Sequence, residues 1–367
     1  MSEMEEETRM SKGSLAPGPT ATIEPDAGVA GRAGHTRAIG LPPSLLRVGG
    51  LLATIVIIMV VFQIQNSFFL TGNNMLELVR SMSTLGIVAL GEMLVIIAAE
   101  IDLSVGAVYG FCAMALGEMW IHGVPVYVAL PATLAIGALI GVVNAFFTVV
   151  VRIPSFIVTL GMFSLAQGLT YLISGSQSIN PQFANPPVDA GQYAFFHGLS
   201  GATLPFNIPV QILWLVVAAV IIGLLLHRSL FGFRLTALGG NPEAARLVGL
   251  PVKSYKFWVF AISGLCAAVG GILDFSFISS TSPNAGINNI TFPTFAAVII
   301  GGASLSGGRG TVIGTLAGAL LLGTLANGLN LNLVDPFVQL IAVGIVTIAA
   351  VALDRWASTL HGRTART

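Results

Sequence analysis

Apolar side chains lie along this chain in long runs, each closed by a short polar, glycine or proline break. The runs fall near 48–65, 82–100, 104–122, 126–150, 155–175, 208–227, 257–277, 291–304, 311–332 and 337–354. A hydrocarbon core about 30 Å thick takes roughly 20 helical residues to cross. The pattern therefore predicts an all-α polytopic membrane protein with about ten transmembrane helices. The eighth run is too short to cross as a regular helix, and the second and third are barely separated, so broken or short spans belong to the expected fold.

Composition narrows the class. Hydrophobic residues make up 54% of the 367 residues and charged ones 9%, against roughly 25% charged in a soluble domain. Sixteen Lys and Arg balance sixteen Asp and Glu, so no basic excess points to nucleic acid, and nucleic-acid binding is excluded. Forty-three glycines suit closely packed membrane helices. Cys112 and Cys266 lie inside apolar runs with no Cys or His at metal-ligand spacing, which speaks against a disulfide framework and against a metal site. Residues 1–44 are polar and proline-bearing and read as a disordered cytoplasmic tail with no secretory signal. Residues 45–356 form the transmembrane domain, with a cytoplasmic loop at 228–256, and 357–367 a cytoplasmic C-terminal tail.

Orientation follows from the basic residues. With the N-terminus inside, ten spans place Arg152, Arg228, Arg234, Arg246, Lys253, Lys256, Arg309, Arg355, Arg363 and Arg366 in the cytoplasm, beside five basic residues of the tail; only Arg80 falls outside. The external segment 176–206 holds no Lys or Arg. Asn144 is followed by Pro154, Phe156 and Gly161, and Asn327 by Pro336, Phe337 and Gly344, the first set turning inside and the second outside, which is the arrangement of an inverted repeat.

Three segments carry candidate chemistry. In the loop 237–251, Asn241 suits an N-cap, Pro242 the first helical position, Glu243 the positive helix start, Gly249 a left-handed end and Pro251 a stop. A two-turn cytoplasmic helix is expected there, and so short a helix needs a surface to hold it: a partner protein, its own protein or the headgroup layer. In Glu100-Ile-Asp-Leu-Ser-Val-Gly106, Asp102 and Ser104 stand at a helix break, either capping the helix that begins near Val105 or touching solute. Glu92, Glu118 and Asp274 are acids in or near spans. Polar residues such as Asn144, Gln167, Asn327 and Asn330 could line a solute route or tie helices together. Gly301 to Gly310 lacks the Gly-Lys-Ser/Thr ending of a phosphate loop; its glycines suit a short span that turns back inside the protein. Gly137 with Gly141 and Gly314 with Gly318 are small-xxx-small pairs suited to helix packing. No catalytic Ser-His-Asp set, paired catalytic carboxylates or HExxH appears, so nothing supports an enzyme.

At these motifs the chain resembles the permease subunits of ribose-type ABC sugar importers. Ile101 to Gly106, Pro154 to Gly161, Gly239 to Gly249, and Gly301 to Gly310 with Asn327 to Asn330 are similar to four motifs of that family in the same order, over roughly residues 65–355. Ala99-Glu100 stands where the family usually has Gly-Gly. The resemblance implies a bacterial inner-membrane protein, a second permease subunit forming a homodimer, and a periplasmic or lipid-anchored solute-binding protein. It also implies a separate cytoplasmic ABC ATPase that binds ATP and Mg2+, this chain needing no cofactor. ATPase coupling would fall to Gly240, Asn241, Pro242, Glu243, Ala244, Ala245, Arg246 and Gly249, and the pathway to Asp102, Ser104, Asn144, Phe156, Gln167, Asn327 and Asn330. A monosaccharide or similar polar molecule would move inward by alternating access. The alternatives are a permease for nucleosides or branched-chain amino acids and a proton-coupled carrier using Glu92 or Asp102.

Overall fold

The computed structural model describes residues 43–364; the expected tail therefore lies outside the described residues up to position 42, and residues 365–367 do too. Every apolar run forms a helix. The order is α1 (Pro43–Gln65), α2 (Gly72–Ile97), α3 (Val105–Ile121), α4 (Val126–Val149), α5 (Ser155–Ser174), α6 (Ala190–Gly198), β1 (Thr203–Leu204), β2 (Ile208–Pro209), α7 (Val210–His227), α8 (Leu230–Gly240), α9 (Pro242–Leu247), α10 (Val252–Ile278), α11 (Thr291–Ile300), α12 (Val312–Leu331) and α13 (Pro336–Thr364). Six helices, α2, α4, α5, α7, α10 and α12, are long and apolar enough to span a membrane. Four shorter apolar helices, Gly49–Gln65 of α1, α3, α11 and Pro336–Ala349 of α13, complete the ten expected spans.

Proline sets several of the starts: Pro125, Pro154, Pro209 and Pro251 stand immediately before α4, α5, α7 and α10, where a missing N–H costs nothing. The boundaries differ from the apolar runs in two places. Helix α2 begins at Gly72 rather than near 82 because its polar first turns are stabilised along and across the helix, by an Arg80–Glu77 ion pair of 2.8 Å and an Asn74–Asn327 amide pair. Helix α13 continues through Thr364, into the expected C-terminal tail.

Helices α2 and α10 run antiparallel through the middle. From Met82 to Ala98, α2 is buried almost without a break, as a helix that is apolar all round must be. Helix α4 lies along α10, α12 lies along α2, and α5 and α7 keep most of their surface outward. The small-xxx-small pairs are where backbones meet: a Cβ on Gly137 would strike Gly264 O and Ala268 Cβ at 2.6 Å, one on Gly141 would strike Phe260 O, and ones on Gly314 and Gly318 would strike Gly301 O and Ala297 O.

The repeat is wider than the α4–α5 and α12–α13 turns. Short α3 packs on α4 and α5, and short α11 packs on α12 and α13. Helices α2 and α10 both close on a non-glycine residue in the left-handed region, Ala99 (φ 59°) and Ser279 (φ 59°). Helices α2–α5 and α10–α13 thus share an order of packing partners, as the inverted-repeat reading expects.

The segment between α5 and α7 holds structure that the apolar pattern does not disclose. Its helix α6 is capped by Asp189, whose Oδ1 accepts the Gln192 N–H at 2.8 Å, and β1 pairs antiparallel with β2, Thr203 opposite Pro209 and Leu204 opposite Ile208.

Candidate functional site

The loop between α7 and α10 contains the short helix expected after Asn241 and, ahead of it, a second helix that was not expected. Helix α8, capped by Ser229, ends at Gly240; α9 then starts afresh because the extended backbone of Asn241 (φ −154°, ψ 93°) breaks the run. Asn241 Oδ1 accepts the Ala244 N–H at 2.9 Å, and Gly249 takes φ 80°. Ala245 is the buried anchor of α9; Gly240, Asn241, Glu243, Ala244 and Arg246 are exposed, and Pro242 is partly so. Beside them Leu247 and Val248 are 88% and 77% exposed. Two large apolar side chains held out in this way were not singled out in the sequence, although an apolar pair directly before a helix-ending glycine marks the position.

The root of this loop is wedged into the bundle. Gly308 N–H donates to Ile97 O at 2.9 Å, and a Cβ on Gly239 would strike that same carbonyl and meet Gly308 N at 2.7 Å. The glycine-rich turn after α11 therefore buttresses the end of α2, with Gly307 and Gly308 at φ 80° and 73°. Beside it Lys256 of α10 pairs with Glu100. The charge at Glu100 thus finds a partner 156 residues away, a separation that hides the pair from any local reading.

Above that junction lies a closed polar cluster. Asp102 Oδ1 accepts the Ser104 N–H at 2.9 Å and its hydroxyl at 2.5 Å, Asn144 Nδ2 donates to Ser104 Oγ at 2.9 Å, and Ser263 donates to Asp102 Oδ2 at 3.4 Å. Glu92 Oε1 accepts the Asp102 N–H at 3.3 Å, while Glu92 Oε2 and Asn144 Oδ1 have no partner. All four of Glu92, Asp102, Ser104 and Asn144 are at most 3% exposed. Asp102 thus caps the backbone just ahead of α3; Ser104 sits at the N-cap position without making a cap bond.

At the opposite end a cavity of about 610 Å³ opens between α2, α3, α7, α10, α11, α12 and α13. Its wall includes Arg80, Tyr109, Gln211, Asp274, Asn327 and Asn330. The Arg80 guanidinium lies 4.4 Å from the centre of the Phe277 ring. Asn327 is locked in a reciprocal amide pair with Asn74, at 2.9 and 3.0 Å, and Asn330 Oδ1 accepts from Gln339 at 2.8 Å.

The seven pathway residues therefore separate. Asp102, Ser104 and Asn144 meet at the inner cluster, and Asn327 and Asn330 meet at the outer cavity. Gln167 joins neither: its Nε2 donates to Pro283 O at 3.1 Å and ties α5 to the external turn. Phe156 is half exposed on the outer side of α5. Gln211, which the sequence reading did not name, and Arg80, which it used only for orientation, enter because distant helices bring them to one wall.

Residues 74–351 match the family described as the branched-chain amino acid transport system / permease component. The chain is 34% identical over 310 residues to the ribose import permease of Escherichia coli strain K12, covering 84% of this chain and 94% of that one. It is 36% identical over 299 residues to the ribose import permease of Bacillus subtilis strain 168 (82% and 90%). To the D-allose transport system permease of Escherichia coli strain K12 it is 33% identical over 304 residues (82% and 89%). With its bundle of apolar helices, this chain belongs to the ABC importer permeases of that branched-chain amino acid transport system / permease component family.

Proposed function

We propose that this chain is the membrane subunit of a monosaccharide importer, working as a homodimer in a bacterial inner membrane with both termini in the cytoplasm. A separate ATPase, carrying ATP and Mg2+, supplies the energy, and an external binding protein delivers the sugar. The sugar assignment rests on the ribose and allose permeases among its relatives. The observation that carries the coupling role is α9, a projecting cytoplasmic helix whose exposed Leu247 and Val248 offer a partner apolar surface.

The mechanism follows from the contacts around it. A push on α9 passes through α8, whose Gly239 backbone bears on Ile97 at the end of α2. The Glu100–Lys256 pair carries the displacement to α10. Moving α2 against α10 separates the carriers of the inner cluster, since Glu92 rides on α2, Ser263 on α10 and Asn144 on α4. The route then opens inward as the outer cavity closes, which is alternating access between two repeats. The permease need bind sugar only weakly, because affinity resides in the binding protein.

Uptake into proteoliposomes tests this reading, with the chain, its ATPase and its binding protein present and D-ribose, D-allose, nucleosides and branched-chain amino acids as the panel. ATP-dependent uptake of a monosaccharide requiring all three components is expected. Uptake by the chain alone under a proton gradient would sink the proposal and return the argument to Glu92 and Asp102. Replacing Glu243 and Arg246 together by Ala should leave membrane insertion intact and weaken ATPase capture. Wild-type capture and uptake would overturn the role given to α9.

A further inference from the structure

We infer that the outer cavity contains a transient subsite for a neutral polyhydroxylated solute, built by Arg80, Asp274 and Gln211 from three different helices. The inference rests on the importer reading above and adds to it where the cargo pauses and what recognises it.

The argument starts from what the wall has left unbonded. Gln211 is buried (2% exposed), and its Oε1, an acceptor, has no donor. Arg80 Nε, a donor, has no acceptor, although the same guanidinium spends Nη1 on Glu77 and lies over Phe277. Asp274 is half-buried, and no basic side chain pairs with it among the described residues. A buried donor or acceptor left unmade is costly, so the orphaned Gln211 Oε1 and Arg80 Nε are retained at this cavity against a steady penalty, and the Asp274 carboxylate beside them has acceptor capacity to spare. By contrast, of the amides a sequence reading selects, Asn327 is held in a reciprocal pair with Asn74 and Asn330 Oδ1 already accepts from Gln339. They shape the wall rather than receive the solute.

The chemistry of the free groups selects a class. A hydroxyl donates one bond and accepts others, so a vicinal diol can give protons to Gln211 and Asp274 while accepting from Arg80. An anionic solute would meet Glu77 and Asp274, and a cationic one would meet Arg80, all at the same cavity; charge of either sign is therefore disfavoured. Asn288 and Asn289 are exposed at the rim, and their side chains make no hydrogen bond among the described residues, which leaves two amides to strip water from an entering polyol. The volume of about 610 Å³ lies within the roughly 300–1,000 Å³ of small-molecule sites.

The test uses the complete transport complex. Both native cysteines are buried, so a thiol introduced as Asn289→Cys, at an exposed position, is the reactive one. Millimolar D-ribose or D-allose, whichever sugar the complex imports, should slow its modification by a thiosulfonate reagent several-fold. Anionic D-gluconate and cationic D-glucosamine should not. Adding Asp274→Asn, which keeps side-chain shape, should abolish the protection and lower uptake while ATP hydrolysis continues. Unchanged modification in a complex that does import the sugar would overturn the subsite alone, as would equal protection by gluconate. If the wild-type complex imports no monosaccharide, the importer reading fails and the subsite falls with it.

Discussion

The two ends of the central helix pair are built on one plan and finished differently. At the inner end α2 passes to α3 through residues 98–104, and at the outer end α10 passes to α11 through the longer stretch 279–290. The short inner turn draws Asp102 and Ser104 back among the helices, where Asn144 and Ser263 close on them. The long outer turn keeps Asn288 and Asn289 exposed and leaves a cavity beside Asp274. Asn144 and Asn327 hold equivalent places in the two repeats, yet the first bonds to the turn and the second to α2. Turn length thus decides which end is sealed.

The sharpest way to break that asymmetry is at the inner seal. Gly239→Ala would put a methyl group onto the Ile97 carbonyl, with Gly308 N only 2.7 Å away. Neither obstacle is a flexible side chain, so backbone must move. Overpacking of this kind costs ~1–3 kcal/mol, and here it falls on the path from α9 to α2. The expected outcome is a lowered melting temperature of the purified complex and loss of most ATP-driven uptake. Full uptake would show that α8 does not transmit through Ile97.

Second in size is the Glu100–Lys256 pair, whose side chains are 11% and 19% exposed. Its worth lies between the ~0–1 kcal/mol of exposed pairs and the ~3–5 kcal/mol lost when a fully buried pair is broken. Glu100→Gln should reduce stability and slow uptake, and the charge exchange Glu100→Lys with Lys256→Glu should restore part of both. Because Glu100 stands where the family usually has glycine, the result also shows whether this chain adds a latch of its own. An exchange no better than either single change would remove the pair from the mechanism.

How much of this was legible in the sequence depends on the range of the interaction. Apolar runs and prolines are local signals, so all ten spans were readable, and the caps at Asn241 and Gly249 were readable for the same reason. Helix α6 was missed although Asp189 three residues before Gln192 is a capping pattern, because it lies in a segment without an apolar run. Helix α8 was not read as a separate element, because only Arg228 and Ser229 divide it from the apolar α7. The partners of Glu100 and Asn327 are 156 and 253 residues away in the chain, and the cavity wall joins residues of seven helices. Local patterns supplied the elements and every member of the inner cluster except Ser263. The free groups of the outer wall appear only once the elements are packed.

The outer end should be more tolerant, and the Asn74–Asn327 amide pair measures by how much. Each hydrogen bond contributes about 0.5–1.5 kcal/mol, and a lone partly buried amide costs more than a pair removed together. Asn74→Leu should therefore destabilise the complex more than the double change Asn74→Leu with Asn327→Leu. Uptake should persist in both, since neither amide is free to receive solute. A double variant that melts lower than the sum of its parts would instead give Asn327 a role beyond this pair.

Gly161 provides the smallest expected effect and the control for all the others. It lies in a motif shared with sugar permeases, as Gly239 does, but a Cβ built on it meets nothing within 4 Å. Replacing a helix-interior glycine by alanine removes a conformational penalty of roughly 0.5–1 kcal/mol, so Gly161→Ala should leave uptake unchanged and raise the melting temperature slightly. Side by side with Gly239→Ala, it separates a glycine kept for close backbone contact from one that this subunit alone does not require. A marked loss of uptake from Gly161→Ala would mean that the open face of α5 is covered in the working assembly, and the second permease subunit would be the first partner to test there by cross-linking.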